Sequence, residues 1–437
     1  MPVVIVFAGV ILLLLLITVG KLETFISFIL VALFVGVAEG LPFPAVLSAI
    51  QKGIGDTLSS LVMILGFGAM LGKLVADSGA AQHITQRLVA AFGLKYVHWT
   101  LMLTGLIVGI PMFYNVGFVI MVPLVFTVAA ATGLPLLYVG LPMLASLSVT
   151  HGFLPPHPSP TAIAGMFKAD LGRTLLLGLA LAVPTAALVV PVFSKRSKRY
   201  DAKPNKVFHV DLIPEKDLPP LGVSLLTALL PVLLIGSAAV VRIGTEEQSL
   251  IRKITDVAGD PALAMLLSVL VAVYFLGIRR GKKMDAVTTS LSESIAGIAV
   301  VLLVLAGAGA LKEVLVASGV SDYIGGLMRA SSVSPLILAW LVAALIRVCV
   351  GSATVAGLTA DGIVLPVVGQ AGANPELMVL SIGAGSIFFS HVNDGGFWMF
   401  KEYFNLSVKD TIATWSMMET TVSVAGLAGV LIFDIFI

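Results

Sequence analysis

The stretch 148-SVTHGFLPPHPSPT-161 lies between long apolar runs, yet it holds His151, His157, four hydroxyl side chains and four prolines. Pro155, Pro156, Pro158 and Pro160 lack an amide donor, and a proline ring inside a helix clashes with the preceding turn. A helix that enters this stretch must stop within it. In a soluble protein the result would be an ordinary loop. At membrane depth, broken backbone is tolerated only where protein or a water-filled cavity satisfies it, so there the same residues would line a pathway.

The surrounding chain decides between the two. Of its 437 residues, 58% are hydrophobic and only 11% are charged, too little polar surface for a water-soluble domain of this length. Apolar runs recur from end to end, at Val3–Val19, Phe25–Ala38, Leu175–Val192, Leu225–Val241, Leu263–Leu276 and Val422–Ile437. Several are long enough to cross ~30 Å of hydrocarbon as helices. They are apolar all round, which argues against the alternating strands of an outer-membrane barrel. The first run has no basic residue before it and no A-x-A cleavage pattern after it, so it reads as a spanning helix and not as a leader. The single cysteine, Cys349, excludes an intrachain disulfide and a Cys-rich metal site.

The net charge is +2, and basic residues gather in SKRSKRYDAKPNK (194–206) and RRGKK (279–283). Neither cluster carries the interleaved aromatics of a nucleic-acid surface, so no nucleic-acid partner is expected. Both read as cytoplasmic loop anchors.

The chain also repeats itself. GFGAMLGKLVADSGAAQHI (66–84) aligns with AGAGALKEVLVASGVSDYI (306–324), with Gly79 falling on Gly319, an offset of 240. The same offset carries Pro135 to Pro375, Thr150 to Ser390 and His151 to His391, so the opening stretch has a counterpart in IFFSHVNDGGFW (387–398). The segment equivalent to RRGKK is EGLPF (39–43), which has no basic residue, as expected of the opposite face. The expected fold is therefore an all-α polytopic membrane protein of two inverted-topology repeats, 1–193 and 223–437, joined by a cytoplasmic linker at 194–222. Both termini would then be external. Such repeats recur in secondary transporters, with the substrate site at the midplane between discontinuous helices.

Within the opening stretch, Ser159 followed by Pro160 predicts an N-cap and a helix restart, whose amide-rich end attracts anions. PMFYNVGF (111–118), GSATVAG (351–357) and SHVNDGGF (390–397) are similar breaks. Together they offer Asn115, Thr150, His151, Ser159, Thr161, Ser352, Thr354, Ser390 and Asn393 as ligands for a hydroxylated or carboxylated solute. Any one Ser or Thr could serve helix packing instead; their grouping in duplicated breaks favours binding. Ionisable residues within spans are costly and tend to be functional. Asp394, His391, His151, His157 and Asp361 are the candidates for proton coupling, since acid and imidazole groups can exchange protons near neutrality. Arg347 would pair with a substrate carboxylate, or else snorkel to an interface.

An intramembrane metalloenzyme using His151, His157, His391 and Asp394 is a competing reading, with ligand types suited to zinc or iron. HGFLPPH cannot lie on one regular helical face, however, and no H-E-x-x-H pattern occurs. No metal, cofactor or catalytic residue is expected. A passive channel fits poorly with titratable groups placed in duplicated breaks.

GFGAMLGKLVADSGAAQ, VTHGFLPPHPSPTA, GSATVA, SHVNDGGFW, FKEYFNL and WSMMET carry a further reading. In these motifs, and nearly end to end, the chain resembles the gluconate:proton symporter family, the gluconate permeases of bacterial inner membranes. The resemblance implies uptake of gluconate or a related sugar acid with protons, on a fold shared with the wider ion-transporter superfamily. It further implies re-entrant hairpins and unwound helices that hold the anion, in a homodimer that works by an elevator-like slide within the lipid bilayer. By that likeness GSAT (351–354) is a hairpin tip, and SVTHG (148–152) and SHVND (390–394) are unwound crossings. Many members carry an acid where this chain has Asn115, so a coupling role for that acid cannot apply here. Members also differ in substrate, D-serine included, and a sodium-coupled carboxylate or D-serine carrier is the alternative.

Overall fold

The computed structural model describes residues 2–200, 202–204, 212–246, 248–320, 323, 334–368 and 372–437; the side chains of residues 2, 3, 18, 60, 94, 115 and 366–368 fall outside that description. Among the described residues all regular structure is helical. The first half contributes α1 (Pro2–Thr18), α2 (Thr24–Ala38), α3 (Phe43–Asp77), α4 (Ala80–Phe92), α5 (Val97–Gly109), α6 (Tyr114–Thr132), α7 (Leu136–Phe153), α8 (Pro158–Phe167) and α9 (Leu171–Ser197). After the linker come α10 (Leu221–Gly244), α11 (Leu250–Ala258), α12 (Pro261–Arg280), α13 (Met284–Ala317), α14 (Pro335–Val350), α15 (Ala353–Val368), α16 (Pro375–Ser386), α17 (Gly395–Tyr403) and α18 (Val408–Phe436).

Among the described residues, six helical stretches are long and apolar enough to cross a bilayer, and α3, bent by 44° between Ser59 and Leu61, would make a seventh. Their outer faces stay apolar. Leu188 is 71% exposed on α9, and Val240 and Ile243 are 57% and 83% exposed on α10, a pattern suited to lipid and not to water. The chain is a polytopic membrane protein.

The internal offset reappears in the helix boundaries. Shifted by 240, α5 falls on α14, α6 on α15, α7 on α16 and α3 on α13, each within a few residues at the start. The longest pair, α3 and α13, packs antiparallel, since Lys52 reaches Glu313 at 2.6 Å while Lys73 reaches Glu293 at 3.6 Å further along. Glycine makes this crossing close: a Cβ on Gly53 would collide with the carbonyl of Gly309, and one on Gly309 with Thr57. Lys73 and Glu313, which lie in the duplicated segments, are thus members of interhelical ion pairs.

All four expected breaks are present. They fall between Gly109 and Tyr114, between Phe153 and Pro158, between Val350 and Ala353, and between Ser386 and Gly395. One detail differs from expectation. The helix after LPPHPSP restarts with His157 as N-cap and Pro158 in its first turn, not with Ser159 and Pro160. Both Pro158 and Pro160 are accommodated there because the first amides of a helix have no intrahelical acceptor to lose. The basic cluster at 194–206 likewise begins inside α9, whose last turn holds Lys195 and Arg196.

Candidate functional site

The four breaks meet around a cavity of about 570 Å³. One wall is α3 and α13, contributing Ala69, Gly72 and Lys73 against Glu293 to Val301. The opposite wall consists of broken ends: Phe113 and Tyr114 at the start of α6, Ser148 and His151 at the end of α7, the turn Gly351–Thr354, and Asn393 to Gly396. Trp415 and Glu419 of α18 close it.

Asp394 organises the second-half breaks. As N-cap of α17, its Oδ1 accepts from the Gly396 amide at 2.9 Å. Its Oδ2 accepts from Arg347 Nη2 at 2.6 Å and from the Ser390 hydroxyl. Ser390 in turn accepts from Trp415 Nε1 at 3.0 Å. Arg347 lies in the last turn of α14 and donates its other nitrogen, Nη1, to the carbonyl of Gly351. The ion pair is nearly dry, with the Arg347 and Asp394 side chains 3% and 15% exposed. Gly351 holds a φ of +83°, and a Cβ there would strike the carbonyl of Asn393. The two strands of broken backbone are also stitched at Val348, whose carbonyl accepts from Asn393 Nδ2 at 2.7 Å and from His391 Nε2 at 3.0 Å.

The first-half break reaches across to the second. His151 Nε2 lies 3.2 Å from the hydroxyl of Thr354. His157 packs edge-on to His151 with ring centroids 5.4 Å apart, and donates from Nε2 to the Gly109 carbonyl at 2.8 Å, tying this break to the end of α5.

Of the residues singled out from sequence, His151, Arg347, Ser352, Thr354, Asn393 and Asp394 line the cavity. Ser390 stands behind Asp394, and His391 and His157 fasten backbone. Thr150 donates to the Leu147 carbonyl of its own helix at 2.8 Å, the local back-bonding that competes with a binding role. Ser159, Thr161 and Asp361 are buried outside the cavity wall, and their side-chain oxygens have no hydrogen-bond partner among the described residues. The Ser159 hydroxyl abuts Gly357, where a Cβ would clash with it. Asn115 is the second residue of α6, and its side chain lies outside the described ones. Sequence reasoning passed over Tyr114, Ser148, Trp415 and Glu419. For Glu419 a signal was there, an acid within an apolar run. Among the described residues no three His, Cys, Asp or Glu side chains converge as a metal site would require.

The cavity can therefore take an anion that competes for a buried arginine, with hydroxyl, amide and imidazole groups beside it for a polar body. Against known proteins, the profile described as GntP family permease matches residues 1–436. The chain is 50% identical over 438 residues to the high-affinity gluconate transporter of Escherichia coli K12, covering 100% of each. It is 50% identical over 432 residues to the Gnt-II system L-idonate transporter of the same strain, covering 99% of this chain and 98% of that one. The gluconate permease of Bacillus subtilis 168 is 44% identical over 454 residues, with 100% of each covered. Among solved structures, the Alcanivorax borkumensis YdaH transporter superposes with a TM-score of 0.69 at 15% identity, over 94% of this chain and 98% of that one. Neisseria gonorrhoeae MtrF superposes at 0.68 with 14% identity, over 94% of each. At these identities the two structures speak for the fold alone.

Proposed function

Because the chain belongs to the GntP family of permeases, we propose that it imports gluconate or a closely related sugar acid across the bacterial inner membrane in symport with protons. The observation that carries this reading is Arg347, buried in a cavity where all four helix breaks meet and held by Asp394 at 2.6 Å. A carboxylate substrate would share or take over the arginine, whose flat fork matches a carboxylate in two-point contact. Ser352, Thr354, Asn393 and His151 lie beside it to receive hydroxyls. Asp394 then acts as the counter-ion that keeps Arg347 in place while the cavity is empty of substrate. The full-length likeness to gluconate and idonate transporters supports a polyhydroxylated acid as the ligand class.

The antiparallel packing of α3 on α13, helices related by the internal offset, supports inverted repeats at 1–193 and 223–437 around a cytoplasmic linker at 194–222, with both termini outside. Inverted halves meeting at one cavity suit alternating access, in which the site faces one side of the membrane at a time. We take α3 and α13 as the standing wall and the broken ends as the part that slides, in an elevator-like motion within a homodimer.

Uptake of labelled gluconate into proteoliposomes under an inward proton gradient tests the proposal. Uphill accumulation that a protonophore abolishes, and that survives replacement of external sodium by choline, is the expected result. Accumulation that stops in choline at a constant pH gradient would replace protons with sodium as the driving ion, and its absence with gluconate but presence with another hydroxy or amino acid would change the ligand.

A further inference from the structure

In the side chains that line the cavity, His151 Nδ1 and Glu419 Oε1 have no hydrogen-bond partner among the described residues, while the Tyr114 hydroxyl and the Glu419 carboxyl both lie beside Ser148. Glu419 is the least expected of them, an acid 3% exposed in the middle of the spanning stretch Val408–Phe436. The stretch is not regular there. A π-helical turn at Ile412–Ser416 interrupts it, ending three residues before Glu419, and such single π turns occur frequently at functional sites. Trp415, in that turn, fastens Ser390 and through it Asp394, so Glu419 lies one turn beyond the tether of the buried ion pair.

The charges facing the cavity can be counted. Around Glu419 stand Tyr114 of α6, Ser148 of α7, Arg347 of α14 and Asp394 at the start of α17, and His151 of α7 lines the same cavity. Across the cavity are Lys73 and Glu293, 3.6 Å apart, with Lys73 also bound to Asp77 at 3.2 Å. Arg347 is the one buried Lys or Arg among the described residues, and Asp394 already balances it. An arriving anion therefore meets a second acid, Glu419, for which no spare cation lines the cavity among the described residues. Two unbalanced negative charges out of water are costly.

Resting on the symport reading above, we propose that Glu419 is the coupling carboxyl: it takes up a proton from the outer side when the sugar-acid anion binds, and releases it inside with the substrate. No other bond changes; the proton moves from water to a Glu419 oxygen and back to water. Protonated, the group no longer repels the anion and gains a hydroxyl donor for it. Asp394 makes the poorer carrier because donors occupy both of its oxygens, from Arg347, Ser390 and the Gly396 amide.

The test adds gluconate to purified, weakly buffered protein beside a pH dye, with Glu419→Gln compared to the unaltered chain. The unaltered protein should take up a proton on binding. Glu419→Gln should bind gluconate with no proton uptake and with affinity insensitive to pH; in proteoliposomes it should still exchange labelled for unlabelled gluconate yet lose accumulation against a gradient. A variant that still takes up the proton and accumulates would overturn the assignment. So would a folded, monodisperse variant that neither binds nor exchanges, since Glu419 would then be a substrate ligand and nothing more. If the unaltered protein binds gluconate without proton uptake, the symport reading itself fails, whatever Glu419 does.

Discussion

Arg347 and Asp394 form a nearly dry ion pair in the cavity wall, and this makes their removal informative in two ways. Breaking a buried pair by deleting one partner strands the other, at about 3–5 kcal/mol. Arg347→Ala should therefore lower the melting temperature and abolish gluconate binding, and the double change Arg347→Ala with Asp394→Ala should regain part of the lost stability but none of the binding. A thermal melt of the three proteins with a binding assay checks both. Ser352→Ala and Thr354→Ala should each raise the apparent KM for gluconate about fivefold, the equivalent of one hydrogen bond worth about 1 kcal/mol; an unchanged KM would return that hydroxyl to packing. At this scale the sequence was partly legible. A charge in an apolar run is conspicuous, so Arg347, Asp394 and Glu419, the acid of WSMMET, all stand out in the sequence. The hydroxyls were harder. Ser159 and Thr161 share a break with His151, but a break does not reveal which side chains face the cavity, and the restart at Pro158 turns Ser159 toward Gly357 instead.

At the scale of the element, a broken helix works only if its ends can approach closely, and Gly351 is where that requirement is most severe. Its positive φ strains any other residue by roughly 1–2 kcal/mol, and its missing Cβ is the space taken by the Asn393 carbonyl. Gly351→Ala should separate the Val350–Ala353 turn from the Ser390–Asp394 segment, and with it the Arg347–Asp394 pair. Gluconate transport should fall by at least tenfold, roughly the effect of 1.4 kcal/mol. Gly281 is the matched control. It has a φ of +79° with nothing within 4 Å of its would-be Cβ, so Gly281→Ala should cost similar backbone strain and leave transport intact. Uptake rates and melting temperatures of the pair separate strain from geometry, and equal transport in both variants would remove the contact with Asn393 from the account. The breaks were legible because proline and glycine act through local sterics, which sequence records. Neither the 44° bend of α3 between Ser59 and Leu61 nor the π turn at Ile412–Ser416 contains a proline or glycine to mark it.

The whole molecule is organised around the crossing of α3 and α13, which only the fold brings together. An offset of 240 betrays the duplication, but the approach of Gly53 to Gly309 depends on pairing two glycines from different halves, and nothing local to either announces it. If this crossing is the standing wall of an elevator, fixing it should be harmless, whereas fixing the wall to a moving tip should not. The chain favours the experiment because its single thiol, Cys349, is removed by Cys349→Ser. Lys52→Cys with Glu313→Cys joins α3 to α13 at a point where the native side chains already meet at 2.6 Å. Lys73→Cys with Ser352→Cys joins α3 to the Gly351–Thr354 turn across the cavity. After treatment with a short bifunctional maleimide, the first pair should retain gluconate exchange in proteoliposomes, and the second should lose it and recover none on return to reducing buffer, the thioether being permanent. Arrest by the first cross-link would mean that α3 and α13 move apart during transport, and the sliding part would have to be sought on the other side of that crossing.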